Sequence, residues 1–292
     1  MADDLRRSVE AWRSQRYAAL RSPIGWLTLV GLDWLAEGEN RLGADAANAV
    51  VLPAGPAFAG TVTLRDGVAT ATAGPSGALL IDGAPAAGAT LVSDADATDE
   101  RPPTTLEVED LRLRLIRRGA HNDRFAIRSW DTAAPARAAF TGIDHWPVDP
   151  RWAIEASFEP APHGTTIPVP DVLGDILPMP SPGTVRFDVA GVACELQAVE
   201  GGADGELWLI FADATSGTET YAGGRFLYTE PPRSDGAVTV DFNRAYNPPC
   251  VFSPYATCPL PPDGNRLAVR IEAGERTYPA DPRHRTGHAP PP

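Results

Sequence analysis

Proline and glycine break this chain so often that few of its segments can be long. The 292 residues include 30 prolines and 27 glycines, and after Pro23 these residues rarely leave 15 consecutive positions free. Because both residues interrupt regular structure, this spacing excludes further long helices and favours short strands joined by turns. The exception is the segment from Asp3 to Arg21, where apolar residues keep a helical stripe that ends before Pro23.

The segments between the breakers alternate between apolar and polar residues. Leu111, Leu113 and Leu115 point one way, with Arg112 and Arg114 between them. This period of two is typical of strands with one buried face, and many short strands favour antiparallel sandwiches or barrels. Similar runs predict strands at Val50–Leu52, Thr61–Leu64, Leu79–Ile81, Ile154–Phe158, Val185–Val189, Leu207–Phe211, Arg225–Tyr228, Val238–Phe242 and Leu267–Ile271.

We therefore predict a mainly β protein with four parts. A helix over residues 1–22 precedes an antiparallel β-sandwich over residues 23–135, in which Phe125 and Ile127 face the core and Arg128 faces away. The boundary falls in the small, proline-broken stretch Thr132–Ala139. An antiparallel β-barrel or sandwich over residues 140–278 carries the candidate site, and residues 279–292 form a flexible tail that contains His284 and His288.

The net charge of the chain limits the classes of partner that it can bind. The formal net charge is −13, and all 25 basic residues are arginine. Such a surface repels nucleic acid and anionic lipid, so we expect neither as a partner. Without lysine there is no Schiff-base chemistry. No apolar run is long enough for a membrane span and no secretory signal stands at the start, so we expect a cytoplasmic protein.

The common catalytic and cofactor signatures are missing from the chain, so no cofactor is assigned. Of the three cysteines, Cys250 and Cys258 are eight residues apart and lack the second ligand pair of a structural zinc site, so no metal is predicted. Buried apolar thiols, a reactive thiol and a disulfide all stay open for these two residues.

Polar residues cluster in the second half of the chain. "FADATSGTETYAGGRFL" brings Asp213, Thr220, Tyr221 and Arg225 together, and "DFNR" at the end of the next strand adds Asp241 and Asn243. Two interpretations stay open. Arg225 and Asp241 tie neighbouring strands, or arginine, asparagine and tyrosine converge on a small anionic ligand.

The proline-rich stretch from Asp241 to Asn265 is predicted to be an ordered cover rather than a linker. It contains six prolines but also Tyr246, Phe252 and Tyr255, which give it apolar surface to bury. Prolines fix φ and cannot donate within a central strand, so the chain should leave the sheet near Arg244 and be held still at low entropic cost.

The stretches Arg41–Gly43, Ala49–Leu52 and Leu79–Gly83 resemble the motifs of forkhead-associated β-sandwiches. That family reads phosphothreonine through an arginine, a serine and a histidine. Arg41 is present here but the Ser-x-x-His is not, so the resemblance implies the sandwich without its binding function.

Four further blocks carry a second resemblance: "GWLTLVGLDWLAEGENRLG", "RFAIRSWD", "DATSGTETYAGGRFLY" and "DFNRAYNPPCVFSPYATCPLPPDGNRLAVRIEAGE". Over about residues 10–278 the chain resembles the domain-of-unknown-function 1684 family of uncharacterised bacterial proteins. The resemblance implies no activity or cofactor. The family pattern falls on Trp26, Gly31, Trp34, Arg128, Asp131, Asp213, Thr215, Thr220, Tyr221, Arg225, Asp241, Asn243, Tyr246, Asn247, Cys250, Tyr255, Cys258 and Glu275.

Three functions are considered for the chain. The first is binding of a small polar or anionic metabolite in the second domain, and the residues expected to line that site are Arg225, Asn243, Tyr221, Thr220, Tyr246, Asn247, Tyr255 and Arg128. The second is a hydrolase-type enzyme in the same pocket, with candidate groups Asp213, Asp241, Cys250 and Cys258. The third is a non-catalytic protein-interaction module. The sequence does not fix the oligomeric state.

Overall fold

The structure is a computed structural model that describes residues 2–202 and 205–278. The chain divides into two compact units: Ala19–Phe140, called here the N-terminal unit, and residues 1–18 together with 141–292, called the C-terminal unit. The flexible tail predicted for residues 279–292, with His284 and His288, lies outside the described residues.

The predicted N-terminal helix is confirmed as α1, Ala2–Leu20. Asp3 and Asp4 occupy its first turn, where carboxylates favour the positive end of the helix dipole. Val9 is fully buried, whereas the flanking Ser8 and Glu10 are exposed. In the described ranges, no helix combines the length and apolar character needed to cross a membrane.

The N-terminal unit is a β-sandwich. One sheet has the strand order β1-β11-β10-β9-β6-β7 and the other β3-β2-β4-β5-β8. All pairs are antiparallel except the short β2–β3 pair. The strands are β1 Leu29–Trp34, β2 Gly38–Gly43, β3 Val50–Val51, β4 Gly60–Arg65, β5 Val68–Ala73, β6 Leu80–Ile81, β7 Ala84–Pro85, β8 Ala87–Thr90, β9 Thr105–Val108, β10 Leu111–Arg118 and β11 Arg124–Asp131, and the short helix α2 Pro135–Ala139 follows.

The core of this unit lies between the two sheets. Leu111, Leu113 and Leu115 of β10 are buried in it together with Val62 of β4 and Leu42 of β2, as the period of two predicts. Strand β11 differs from the prediction because both of its faces are covered. Arg128 is therefore only 5% exposed, instead of facing solvent opposite Ile127.

The C-terminal unit is built on a six-stranded antiparallel sheet with the order β18-β17-β16-β15-β12-β19. The sheet curls into a half-barrel, so that its edge strands β18 and β19 come into contact. Its strands are β12 Ala153–Pro160, β15 Gly183–Val189, β16 Val192–Glu200, β17 Leu207–Phe211, β18 Arg225–Thr229 and β19 Ala237–Asp241. The chain enters β12 from the 3-10 turn η1 Pro150–Trp152.

A separate hairpin, β13 Thr166–Pro170 and β14 Ile176–Pro180, was not predicted because its many prolines argue against strands. A two-stranded ribbon needs few ladder donors, so proline is tolerated there. Inside the half-barrel, aromatic rings fill the centre: Phe242 contacts Phe211 and Phe187 with ring centroids 5.3 and 5.6 Å apart.

The proline-rich segment is an ordered cover, as predicted. It leaves the sheet at Asp241, three residues earlier than expected, and forms the 3-10 turns η2 Phe242–Arg244 and η3 Pro249–Val251. Its apolar side chains Phe252 and Ala256 are buried. The strand predicted at Leu267–Ile271 is wrong: the segment forms no strand, and it pairs through the parallel bridge of Arg266 to Ala212 and a hydrogen bond from the Ala214 N–H to the Val269 carbonyl at 3.0 Å.

Candidate functional site

Arg225 lies inside the half-barrel and is paired with Asp213. Both side chains have 0% exposure, and Nη2 of Arg225 donates to Oδ2 of Asp213 at 2.7 Å. Nη2 also donates to the Ile271 carbonyl at 2.9 Å, and Nη1 donates to the carbonyls of Ala273 and Glu275. Burial lowers the pKa of Arg225, whereas the adjacent Asp213 raises it. The guanidinium therefore ties strand β18 to two other parts of the chain.

Asp213 is held as firmly as its partner. Its Oδ1 accepts from the backbone N–H groups of Thr215 at 2.8 Å and Ile271 at 3.2 Å. These contacts support the strand-tie interpretation of Arg225, but with Asp213 in place of Asp241. A carboxylate that already accepts three buried hydrogen bonds is a poor general base, because it must give up one of them to accept a proton there.

Asp241 instead caps the turn η2 where β19 ends. Its Oδ1 accepts from the Asn243 backbone N–H at 3.1 Å and from Asn243 Nδ2 at 2.8 Å, and Arg244 lies 3.4 Å from its Oδ2. Asn243 is fully buried and also bonds the backbone of Asp149 in both directions, at 2.9 and 3.0 Å. Asn243 thus joins the start of β12 to the end of β19.

The turn after β17 is held by its own hydroxyl groups. Oγ1 of Thr215 and Oγ1 of Thr220 are 2.9 Å apart, and both residues are buried. The backbone N–H groups of Thr218, Glu219 and Thr220 all donate to the Thr215 carbonyl. This compact turn fixes the position of Tyr221, which follows it.

Tyr221 meets the two cysteines of the proline-rich segment. Tyr221 and Cys258 lie close enough to the Cys250 thiol to influence its pKa. The Cys250 backbone N–H also donates to Sγ of Cys258 at 3.1 Å, and neither cysteine is in a disulfide. The hydrogen bond with Cys258 lowers the pKa of Cys250, which burial opposes and Tyr221 assists. Burial and the neighbouring Cys250 raise the pKa of Tyr221.

A second polar cluster surrounds Glu275, which is fully buried. Arg16 of α1 binds its carboxylate with two nitrogens, Nε to Oε1 and Nη2 to Oε2 at 3.0 Å. The Asn247 backbone N–H donates to Oε2 at 2.7 Å, and Arg16 Nη2 also donates to the Asn247 carbonyl at 2.9 Å. The backbones of His145 and Glu275 form an isolated antiparallel bridge. Arg13 of α1 lies near both residues: the Glu275 carboxylate raises the pKa of Arg13, and Arg13 lowers the pKa of His145.

Four buried polar atoms of residues in the C-terminal unit have no hydrogen-bond partner among the described residues: Arg13 Nε, His145 Nε2, Arg225 Nε and Asn247 Oδ1. Nδ1 of His145 lies 2.7 Å from the Ile143 carbonyl, so a neutral ring carries its proton on Nδ1 and leaves Nε2 as an acceptor. Burial and the nearby Arg13 lower the pKa of His145, which favours this neutral form.

Tyr246 belongs to an aromatic stack on the outside of the half-barrel. Its ring is nearly parallel to that of Tyr228, at 12° with centroids 6.4 Å apart, and Tyr228 stacks on Trp208 at 6° and 5.8 Å. The Arg16 guanidinium lies 4.4 Å from the Tyr246 ring centroid. Burial raises the pKa of Tyr246, so its phenol stays protonated at neutral pH.

The remaining predicted residues do not join these clusters. Arg128 belongs to the N-terminal unit, where its guanidinium lies 5.5 Å from the Trp26 ring. Arg41 is exposed in the same unit and packs 4.3 Å from the Phe58 ring. Tyr255 lies within the covering segment, where its backbone N–H donates to the Ser253 hydroxyl at 3.3 Å.

The structure therefore splits the predicted site into separate groups and adds residues that sequence reasoning missed. Arg13, Arg16 and His145 were not predicted. A signal was available on α1, because Arg13 and Arg16 lie three residues apart and so share a helical face. Among the described residues, no group of three or more His, Cys, Asp and Glu side chains is placed to hold a metal ion.

Comparison with known proteins finds a family model that matches part of the chain. It is the model of the family described as protein of unknown function (DUF1684), and it matches residues 138–276. The matched range begins just before the C-terminal unit's main segment, so the blocks "GWLTLVGLDWL" and "RFAIRSWD" lie outside it.

A solved structure is similar to part of the chain. It is the solution NMR structure of the uncharacterised protein from gene locus rrnAC0354 of Haloarcula marismortui. The two sequences are 35% identical over 49% of this chain and 80% of the other, with a TM-score of 0.41. No curated protein matches the chain.

Proposed function

We propose that the C-terminal unit of this protein binds a small polar ligand with an anionic group, at the cluster around Glu275. The observation that carries the proposal is the set of four buried polar atoms without a described partner: Arg13 Nε, His145 Nε2, Arg225 Nε and Asn247 Oδ1. Leaving a buried polar group unpaired costs about 1–3 kcal/mol each, so native proteins seldom leave several together.

The donor and acceptor pattern defines the class of ligand. The two arginine Nε–H groups are donors on cations, and they suit carboxylate or phosphate oxygens. The Asn247 oxygen and neutral His145 Nε2 are acceptors, and they suit hydroxyl or amino hydrogens. A molecule with both kinds of group, such as a hydroxy acid, matches this set better than a simple anion.

The charges of the cluster support an anionic ligand. The buried carboxylates Asp213 and Glu275 are already bound by Arg225 and Arg16. Arg13 forms no ion pair with a carboxylate of the described residues, and burial lowers the pKa of Arg13. An anion at Arg13 would restore the stability that the desolvated charge loses.

Thermal unfolding of the full chain tests the proposal, with glycolate, acetate and inorganic phosphate as probes and sodium chloride at matched ionic strength as reference. We expect glycolate to raise the melting temperature most, because binding to the folded state alone stabilises it by mass action. The increase should disappear in Arg13→Met and persist in Arg6→Met, since Arg6 is exposed on the same helix.

Two results of thermal unfolding would refute the proposal. The first is a melting temperature that no probe raises beyond the chloride reference. The second is an Arg13→Met variant that responds to glycolate like the unmodified chain. A crystal structure of the protein grown with glycolate would also count against the proposal if ordered water alone were hydrogen bonded to the four atoms.

A further inference from the structure

We propose that Cys250 and Cys258 form a reactive dithiol that undergoes thiol–disulfide exchange with small disulfides, with Cys250 as the attacking thiol and Cys258 as the resolving thiol. The proposal stands on the contact of the Cys250 backbone N–H with Cys258 Sγ at 3.1 Å, beside which Tyr221 lies near the Cys250 thiol. It concerns different residues from the anion cluster, and it does not depend on that cluster.

The geometry brings Cys258 next to Cys250. Cys258 Sγ accepts from the Cys250 backbone N–H at 3.1 Å, and Cys258 is close enough to the Cys250 thiol to lower its pKa. A disulfide requires the sulfurs to approach to about 2 Å, which adjacent thiols can reach by side-chain rotation. The turn η3, with Pro249, positions Cys250, and the Val172 backbone N–H donates to the Cys258 carbonyl at 3.0 Å.

Exposure assigns the order of reaction. Cys258 is 3% exposed, whereas Cys250 is partly exposed. An incoming disulfide therefore meets Cys250 first. Tyr221 supports this role because its hydroxyl can donate to the Cys250 thiolate, and hydrogen bonds to the charged form of a thiol favour that form. The lowered pKa of Cys250 agrees with this arrangement.

The reaction balances as two successive exchanges. The Cys250 thiolate attacks one sulfur of a small disulfide R–S–S–R, so that the Cys250–S–S–R bond forms and R–S⁻ leaves with a proton from the protein. Cys258 then gives up its proton and attacks Cys250 Sγ, which forms the Cys250–Cys258 disulfide and releases the second thiol. Two electrons pass from the protein to the small disulfide, and two R–SH molecules are produced.

Cys194 provides an internal control in the same unit. It is partly exposed on β16, its thiol donates to the Val192 carbonyl at 3.5 Å, and burial and Asp188 raise its pKa. Within the described part of the chain, no second thiol and no tyrosine hydroxyl is hydrogen bonded to it. It should therefore react as an ordinary or slow cysteine.

The test is treatment of the reduced full chain with oxidised glutathione, followed by mass spectrometry of the intact protein and its peptides. We expect the unmodified chain to lose two hydrogen atoms in mass and to link Cys250 with Cys258. Cys258→Ser should accumulate one glutathione on Cys250, Cys250→Ser should prevent reaction at Cys258, and Cys194→Ser should behave as the unmodified chain.

The rate at which Cys250 reacts with oxidised glutathione distinguishes a reactive dithiol from two buried cysteines that are merely neighbours. Cys250 should react about tenfold or more faster than Cys194 at pH 7, because a lowered pKa raises the thiolate fraction. Tyr221→Phe should slow Cys250 and move its pH–rate profile to higher pH, while leaving Cys194 unchanged. Reaction at Cys194 alone, Cys250 no faster than Cys194, or a disulfide seen only after denaturation would overturn the proposal.

Discussion

Removal of the Arg225 charge should destabilise the C-terminal unit far more than removal of an exposed arginine. In Arg225→Met, the Asp213 carboxylate stays buried without its counter-ion, and the carbonyls of Ile271 and Ala273 lose their donors. Breaking a buried ion pair from one side costs about 3–5 kcal/mol. For a unit of this size that loss corresponds to a fall in melting temperature of roughly 6–20 °C.

A double-mutant cycle separates the pair from its surroundings. Asp213→Leu alone leaves the guanidinium unpaired and should also cost about 3–5 kcal/mol. The double variant Arg225→Met with Asp213→Leu should cost less than the sum, because an apolar pair leaves no buried charge. Recovery should be incomplete, because the backbone N–H groups of Thr215 and Ile271 that bonded Asp213 remain unpaired.

Urea unfolding followed by tryptophan fluorescence measures these free energies, and Arg186→Met is the matched control. Arg186 lies 3.1 Å from Glu159, but the side chains are 53% and 67% exposed, so its loss should cost less than about 1 kcal/mol. If Arg225→Met unfolds at the same urea concentration as Arg186→Met, the buried pair is not what ties these strands, and the reasoning is wrong.

Two further predictions concern burial and close backbone contact. Burial raises the pKa of Asp33 from 3.8 to about 6, so the folded state binds its proton more tightly and stability should fall as pH rises through that window. Asp33→Asn should remove this fall in stability and be more stable than the unmodified chain by about 1–2 kcal/mol at pH 7, after allowance for partial exposure. Urea unfolding from pH 4 to pH 8 measures the effect, and the same dependence of the unfolding free energy on pH in both proteins would contradict the prediction. Gly274 has φ +76°, and an added Cβ would lie 2.3 Å from the Ala245 carbonyl oxygen, so Gly274→Ala should cost well over the roughly 1–2 kcal/mol of a left-handed alanine. Gly264→Ala is its control, since φ is +93° there but no atom lies within 4 Å of the added Cβ, and equal melting temperatures for the two variants would refute the contact argument.

The local sequence pattern was enough to predict the elements in which apolar residues recur with a clear period. The helix α1 and the strand β10 follow from side-chain period, and period is a property of neighbouring residues that packing reinforces. The hairpin of β13 and β14 was missed because proline argues against strands in general, while its cost depends on whether a ladder partner needs the missing N–H. That need is set by the sheet and not by the sequence nearby.

The same distinction between local pattern and tertiary contact applies to the candidate site. The sequence by itself determined that the segment from Asp241 to Asn265 is an ordered cover that buries apolar side chains, because proline and aromatic content act locally. Only the tertiary structure decided that Arg225 pairs with Asp213, that Tyr221 meets Cys250 and Cys258, and that α1 brings Arg16 to Glu275. Glu275 lies 259 positions from Arg16, and no local pattern encodes which of many charges the curling of a sheet will bring within 3 Å.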